Sequence, residues 1–395
     1  MQLIKKNNIW KKIIYFCLPI ILIGLFFANF TSPSVEIVGA DFIGEAVLKT
    51  GTLFQNTQVG GLSGITYDAS NQVYYAISDD RGDKAPARFY TLKIDLSKGK
   101  LQQGGVVPVG VTLLLDAQGK NFASTTTDTE GIALTQKGDI YVSSEGDVGK
   151  SINPFIKEFT LASGKEVKTL PVPEKFLPTS SKRGIRNNLG FESLTVTPDH
   201  QFLYTATENA LVQDGSEAKP NTSSPCRILQ YNLATNQAEK EFLYPTEAAP
   251  ATIKIINKYA NGLPDLVALD NQGNLLSLER AFTGFGFSVK LFKVSLEGAT
   301  DIRNIDSLLA TDIANIQPVR KQLLLDLGKE NVLLDNIEGL TLGSQLADGQ
   351  PSLILISDNN FNKLQRTQIL ALRLKTESSS PILRFFRQLV PNSNK

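Results

Sequence analysis

The chain has 395 residues, of which 40 are lysine or arginine and 39 are aspartate or glutamate, and it holds a single histidine. This near balance of charge excludes the basic excess that neutralises phosphates, so we predict no nucleic-acid partner. Two cysteines, Cys17 and Cys226, cannot build a disulfide framework, and with one histidine they leave too few ligands for a zinc site. The length allows two ordinary domains or one large repeat-built β domain.

Residues 1–40 form the first predicted segment. Four lysines (Lys5, Lys6, Lys11, Lys12) precede an uncharged run of 18 residues, Ile13 to Phe30, which as a helix rising about 1.5 Å per residue nearly spans a bilayer core of about 30 Å. A signal-anchor helix and a cleaved signal peptide ending near Val38-Gly39-Ala40 both fit this pattern. In either case the lysines stay cytoplasmic, so we expect a periplasmic or secreted location for the rest, with the membrane as partner if the segment is retained.

One supersecondary phrase then occurs five times: a small residue, a short apolar strand, a polar turn, a second apolar strand and an acid. The copies occupy residues 61–80, 130–147, 192–209, 264–281 and 338–360. Equivalent positions are Gly64, Gly131, Ser193, Asp265 and Gly339, at steps of 67, 62, 72 and 74 residues. Repetition at a near-constant step predicts stacked modules.

Further strands follow each hairpin. Third strands are predicted at 88–96, 155–161, 227–233, 288–296 and 368–374, and fourth strands at 106–115, 165–172, 240–244 and 322–327. Four antiparallel strands repeated radially make an all-β propeller, which we place at residues 41–374, with a polar, basic tail at 375–395. The fifth unit lacks a fourth strand, and residues 40–54 supply one, so ring closure would mix the two termini within one blade.

The blade count is predicted as five or six, because a further blade would fit in the connections at 245–262 or 297–335. A β-sandwich is the alternative all-β architecture, but it does not require five copies of one phrase.

Acids recur at the two positions of each unit that open on one face of a propeller. They are the predicted metal ligands: Asp79, Glu130, Glu145, Glu192, Glu208, Glu279, Glu338 and Asp358. Carboxylates gathered from separate segments repel one another unless cations or protons offset their charge, and Ca²⁺, which takes six to eight oxygens, is the expected counter-charge. The alternative is that these acids are solvated turn residues or pair with nearby arginines.

Arginines lie beside these acids in sequence. Arg81 follows Asp80, Arg280 follows Glu279, and Arg186 lies in the loop that leads to Glu192. Guanidinium groups bind carboxylate or phosphate oxygens in a fork. We therefore predict that Arg186, Arg280 and Arg81, together with the acid Glu192, are catalytic residues that act on a small anionic ester or phosphoester.

The chain resembles the phytase-like propeller family described as having esterase-like activity of phytase. The phrases that carry the resemblance are Ser78-Asp79-Asp80-Arg81-Gly82, Glu130-Gly131-Ile132, the run 186–192 (RNNLGFE), Leu278-Glu279-Arg280-Ala281-Phe282 and Ser357-Asp358-Asn359-Asn360. The resemblance implies an envelope or secreted propeller that hydrolyses ester or phosphoester bonds, with Ca²⁺ activating water at the carboxylates.

The sequence lacks the residue pattern that a serine esterase would need. The one histidine, His200, is predicted on the face opposite the acids, and no G-x-S-x-G elbow occurs, which argues against a serine esterase. Two functions of different class remain open: a metal-dependent hydrolase, and a non-catalytic envelope propeller that binds a ligand or protein at the same mouth.

Overall fold

The structure is a computed structural model, and it describes residues 34–178, 182–250, 260–282, 284 and 286–379. The predicted hydrophobic helix at 13–30 lies outside the described residues, as does most of the predicted tail. Within the described part of the chain, no helix is long and apolar enough to cross a membrane. The candidate cleavage site at 38–40 falls within the first strand.

Twenty of the strands form five four-stranded antiparallel sheets, which confirms the all-β propeller and sets the number of blades at five. Blade 1 comprises β4 (Leu62–Asp68), β5 (Val73–Ser78), β6 (Arg88–Ile94) and β7 (Val106–Leu113). Blade 2 comprises β8 (Thr129–Leu134), β9 (Ile140–Ser144), β10 (Phe155–Phe159) and β11 (Glu166–Leu170). Blade 3 comprises β12 (Thr195–Val196), β13 (Phe202–Ala206), β14 (Pro225–Asn232) and β15 (Gln237–Pro245). Blades 4 and 5 comprise β16 (Ala260–Ala268), β17 (Asn274–Phe282), β18 (Phe287–Ser295), β19 (Arg320–Asp326); and β20 (Ile337–Gln345), β21 (Pro351–Ser357), β22 (Thr367–Ser379) with β1 (Ser34–Leu48).

Ring closure mixes the two ends of the chain, as predicted. The fifth sheet has the order β1-β22-β21-β20, so the first strand among the described residues is the outer strand of the last blade. Two very short strands, β2 (Leu53–Phe54) and β3 (Thr57–Gln58), follow it and pair with each other. Closing the ring in this way joins the last blade to the first without leaving a gap in the circle of sheets.

The core lies between successive blades. Tyr74 and Tyr90 of blade 1 pack with Ile354 and Ile369 of blade 5, and equivalent clusters fill the spaces between blades 1 and 2, 2 and 3, and 3 and 4. Burial of these apolar faces is the main source of stability in a fold whose blades each contact only their neighbours.

The five equivalent positions of the repeat come together where the inner strands approach one another. A Cβ atom on Gly64 would lie 2.3 Å from the Glu130 carbonyl oxygen of the next blade, and one on Gly339 would lie 2.6 Å from that of Ser63. The small residue of the phrase is therefore required by the close approach of neighbouring backbones. Asp265 is the exception: its buried carboxylate accepts the Leu340 backbone N–H at 2.8 Å and so ties blade 4 to blade 5.

Gly64→Ala is therefore expected to lower the free energy of unfolding by about 2–3 kcal/mol, since a backbone carbonyl cannot move aside as a flexible side chain can. Chemical denaturation of the full chain measures this. Gly286→Ala is the matched control, because a Cβ atom there meets nothing within 4 Å; equal losses in the two variants would contradict the argument.

Candidate functional site

One mouth of the propeller collects acids from four of the five blades. Eight carboxyl groups interact there, and we call them the acidic ring: Asp79, Asp128, Glu130, Glu145, Glu192, Glu208, Glu338 and Asp358. They lie at the ends of inner and second strands that are remote from the hairpin turns. The hairpin turns lie at the other mouth and surround a separate cavity there. His200 lies in one of these turns, on the face opposite the acids, which is the face predicted for it.

Asp79, Asp128 and Glu130 form the tightest group in the acidic ring. One carboxylate oxygen from each lies within 4.8 Å of the others. Asp128 and Glu130 come from the start of blade 2 and Asp79 follows β5 of blade 1, so the group bridges two blades. We call it the carboxylate triad. Asp128 was not predicted; its spacing of two from Glu130, which puts both side chains on one face of a strand, was the available signal.

Arg81 lies on the solvent side of the triad and pairs with one of its acids. Its Nε donates to Asp128 Oδ1 at 2.6 Å, its Nη2 is paired with Asp128 Oδ2, and it also donates to Asn188 Oδ1 at 2.6 Å. About a third of the Arg81 side chain is exposed, whereas Asp128 is buried. Arg81 thus neutralises one acid of the triad and leaves two.

Arg280 lies on the other side of the ring. Its Nη2 donates to Glu338 Oε1 at 2.7 Å and lies 3.3 Å from Glu208 Oε1. Its Nε is buried with no hydrogen-bond partner among the described residues. Glu192 is near enough to Arg280 for the guanidinium to favour the charged form of the carboxyl.

Burial raises the pKa values of several carboxyls in the acidic ring. Burial, followed by the charges of Asp128 and Asp358, raises the pKa of Asp79 well above its usual value. Burial also raises the pKa of Glu192, with Glu145 and Glu208 adding to the effect, and it raises the pKa of Glu208 to about 7 despite Arg280. Shifts in this direction are expected where buried ionised groups have too little compensating charge nearby.

Two buried carboxylate oxygens of the acidic ring lack a hydrogen-bond donor among the described residues. Asp79 Oδ1 and Glu145 Oε1 are buried without a hydrogen-bond partner in the described part of the chain. The other oxygen of Glu145 accepts the Gly190 backbone N–H at 2.8 Å. Buried, unpartnered oxygens on hard anionic donors are what an oxygen-seeking cation such as Ca²⁺ would satisfy, so the residues present fit the predicted ion.

Glu279, a predicted ligand, is not brought into the acidic ring. Its carboxylate accepts from Tyr244 Oη at 2.9 Å, from the Glu247 backbone N–H at 2.8 Å and from Asn261 Nδ2 at 3.0 Å, and Lys321 Nζ lies at 2.6 Å. The next residue, Arg280, faces the ring instead. With four donors, Glu279 serves the interface between blades 3 and 4.

Glu279→Gln is accordingly expected to lower the free energy of unfolding by about 2–3 kcal/mol, because it removes the charge that the largely buried Lys321 faces. Cation affinity should stay within about twofold of wild type, which a calorimetric Ca²⁺ titration measures. Glu297→Gln, at an exposed pair with Arg320, is the control for stability and should change little. A tenfold loss of affinity in Glu279→Gln would return this residue to the ligand set.

Arg186, predicted as catalytic, is also remote from the ring. Its Nε donates to the Ala210 carbonyl at 3.0 Å and its Nη2 to that of Gly215 at 2.6 Å, while Nη1 lies 3.7 Å from Glu217. It fastens the 210–217 loop. The part of its own loop that reaches the ring is the backbone of Gly190 and the side chain of Asn188.

Fold and mouth together define a five-bladed propeller with a buried, under-neutralised carboxylate ring. The chain belongs to the phytase-like family described as "Esterase-like activity of phytase", whose family model matches residues 57–361. It is also similar to an uncharacterized secreted protein of Arthroderma benhamiae, with 24% identity over 131 residues. That match covers 27% of this chain and 24% of the relative, so it spans only about a quarter of the relative's length.

Among solved structures, the chain is similar to the endo-arabinase from Bacteroides thetaiotaomicron VPI-5482, with 10% identity, a TM-score of 0.41, and coverage of 80% of this chain and 94% of that one. The periplasmic gluconolactonase of Pseudomonas aeruginosa has 10% identity and a TM-score of 0.35, covering 82% and 90%.

Proposed function

We propose that this protein is an extracytoplasmic hydrolase of phosphoester or related anionic ester bonds, and that it depends on a divalent cation held by the carboxylate triad. The observation that carries the proposal is the convergence of Asp79, Asp128 and Glu130 to within 4.8 Å inside a ring with more acids than neighbouring arginines. Membership of the phytase-like family supports the hydrolase class. The lysine-led apolar segment and the secreted relative support the location.

Ca²⁺ is the proposed ion because all three triad donors are carboxylate oxygens, and Asp79 Oδ1 is without a partner. When bound, the ion would supply Lewis-acid polarisation of the ester oxygens and offset the charge of the ring. The remaining acids of the acidic ring, Glu145, Glu192, Glu208, Glu338 and Asp358, contribute to the electrostatic environment of the mouth.

The arginines would bind the anionic part of the substrate. Arg280 keeps a buried Nε–H without an acceptor, and a buried charged donor is costly unless a ligand or water oxygen accepts from it. Arg81, partly exposed above the triad, is the second positive group that an approaching anion meets. The fork geometry of both suits phosphate oxygens.

Glu192 is the proposed proton donor. Its carboxyl is buried, and burial together with the charges of Glu145 and Glu208 raises its pKa. A carboxyl that holds its proton more tightly than an ordinary glutamate suits protonation of a leaving alkoxide. Arg186 and Glu279 have no part in this proposal.

The test is turnover of 4-nitrophenyl phosphate, bis(4-nitrophenyl) phosphate and 4-nitrophenyl acetate by the full chain, with Ca²⁺ and with chelator. Phosphoester turnover that chelation abolishes and Ca²⁺ restores is expected. On glycerol 2-phosphate, whose alkoxide leaving group needs a proton, Glu192→Gln should lower kcat at least about 100-fold, and on 4-nitrophenyl phosphate, whose leaving group needs none, it should lower kcat much less. Absence of turnover on all of these substrates, with a melting temperature that Ca²⁺ still raises, would instead establish the non-catalytic binding propeller. Acetate hydrolysis that is insensitive to chelator would overturn cation dependence.

A further inference from the structure

Blade 4 breaks the pattern of acids around the mouth, and strand register shows how. On blade 1 Gly64 pairs with Ile77, on blade 4 Asp265 pairs with Leu278, and on blade 5 Gly339 pairs with Ile356. Two residues beyond these partners lie Asp79, Arg280 and Asp358 respectively. Arg280 therefore occupies, in blade 4, the position that acids occupy in blades 1 and 5.

The contacts of Arg280 are those expected of a cation in that position. Its guanidinium is largely buried and lies between Glu338 of blade 5, at 2.7 Å, and Glu208 of blade 3, at 3.3 Å. It therefore bridges acids from the blades on either side of its own. A divalent ion at the same place would be offered the same carboxylates.

The opposite side of the acidic ring has no such buried cation among the described residues. Arg81 is partly exposed and is bound mainly to Asp128, and its Nη2 lies 3.9 Å from Glu145. Asp79 Oδ1 and Glu145 Oε1 stay without hydrogen-bond partners although both atoms are buried. The buried carboxylate oxygens that lack a compensating donor therefore lie on the triad side of the acidic ring and not beside Arg280.

We propose that Arg280 is a built-in cation that replaces a second metal ion, so that the acidic ring binds one divalent cation, at the carboxylate triad, and not two. This inference rests on the proposed function and refines it. A hydrolase built this way would act with one metal ion and one guanidinium, and not through a pair of metal ions flanking the scissile bond.

The removal of this charge should create a second cation site. In Arg280→Gln the carboxylates of Glu208, Glu338 and Glu192 lose their only close counter-charge within the described structure. Glutamine adds an oxygen donor and no charge, so the group becomes an acidic site open to a cation. Arg280→Lys keeps the positive charge and is the matched control.

The experiment counts bound Ca²⁺ on the full chain, purified in Ca²⁺ and freed of excess ion, by atomic emission, with a calorimetric titration of chelator-treated protein as a second count. One equivalent is expected for wild type and for Arg280→Lys, and two for Arg280→Gln. Purification in Ca²⁺ keeps the count possible if Arg280→Gln does not fold without the ion.

Stability gives an independent readout. In chelator the melting temperature of Arg280→Gln should fall below that of wild type, and Ca²⁺ should raise it by more than it raises the wild type, because two sites contribute. Two equivalents in wild type, or one equivalent in folded Arg280→Gln, would overturn the inference while leaving a cation-dependent hydrolase intact. A change from one to two equivalents without any ester turnover would support the inference and remove the proposed function; no bound ion in wild type would remove both.

Discussion

Asp79→Asn is expected to stabilise the cation-free protein and at the same time to weaken Ca²⁺ binding by about 100-fold, an effect at the upper end of those seen when groups that support a metal site are altered. The two effects have one cause. Burial and the neighbouring charges of Asp128 and Asp358 raise the pKa of Asp79, so its ionised form is unfavourable until a cation arrives. Asparagine keeps the shape, removes the repulsion, and can donate an N–H to Asp128.

Higher stability without the cation, together with weaker Ca²⁺ binding, distinguishes a metal ligand from an acid that stabilises the fold. Differential scanning calorimetry in chelator should show a melting temperature higher by about 2 °C or more, and calorimetric titration should show the loss of Ca²⁺ affinity. Asp83→Asn is the matched control, since it removes an exposed acid from the same loop and should leave both quantities unchanged. Lower stability in chelator, or wild-type affinity, would remove Asp79 from the cation site.

The strand pattern of this propeller was predictable because each strand is a short local signal repeated five times. The third strand of blade 2 was expected at 155–161 and lies at Phe155–Phe159, and the outer strand of blade 4 was expected at 322–327 and lies at Arg320–Asp326. Ring closure followed from counting strands. Each of these predictions uses hydrophobic alternation and turn residues, which act within a few residues of each other.

The site was predictable only where it repeats. Glu130, Glu192 and Glu338 share one position of the phrase, and the structure brings all three into the acidic ring. Asp128 has an acidic counterpart in no other blade, so no repeated pattern in the sequence marks it. Its role depends on Asp79 of the preceding blade, a contact across 49 residues that no local pattern encodes.

Glu279 and Arg280 show a second limit. Both residues lie near the end of β17, so in the phrase either could take the place of the acid, and the two alternatives send opposite charges to the mouth. The choice is made by the register of β16 against β17, which shifts between Gly262 and Asp265. A one-residue change of register exchanges the two faces of a strand, and only pairing in three dimensions fixes it.

The free energy of unfolding without cation is expected to fall as the pH rises from 5 to 8, the reverse of the usual behaviour of a protein with salt-bridged acids. The pKa of Glu208 is raised to about 7, and the pKa values of Glu130, Glu145 and Asp358 are raised by burial. In the unfolded chain these groups lose their protons near pH 4. Between that value and their folded pKa values, the folded state binds more protons than the unfolded state, so its stability decreases with rising pH.

Other acids act in the opposite direction but in a different range. Hydrogen bonds lower the pKa values of Asp68, Asp95, Asp147, Asp199 and Asp348 below the usual value for aspartate. The stability that they contribute is present above pH 4 and is lost as the pH falls through their lowered pKa values. These aspartates therefore change the free energy of unfolding only at acidic pH. Between pH 5 and 8, the pH dependence of that free energy comes from the acidic ring.

Urea denaturation in chelator at pH 5, 6, 7 and 8 measures this slope, and Glu208→Gln should make it shallower by removing one of the groups. Saturating Ca²⁺ should flatten or invert it, since cation binding favours the ionised carboxylates and grows stronger as the pH rises. If stability in chelator were constant or increased from pH 5 to 8, the ring would already be neutralised by groups of the protein itself, and neither a cation at the triad nor a special place for Arg280 would be needed.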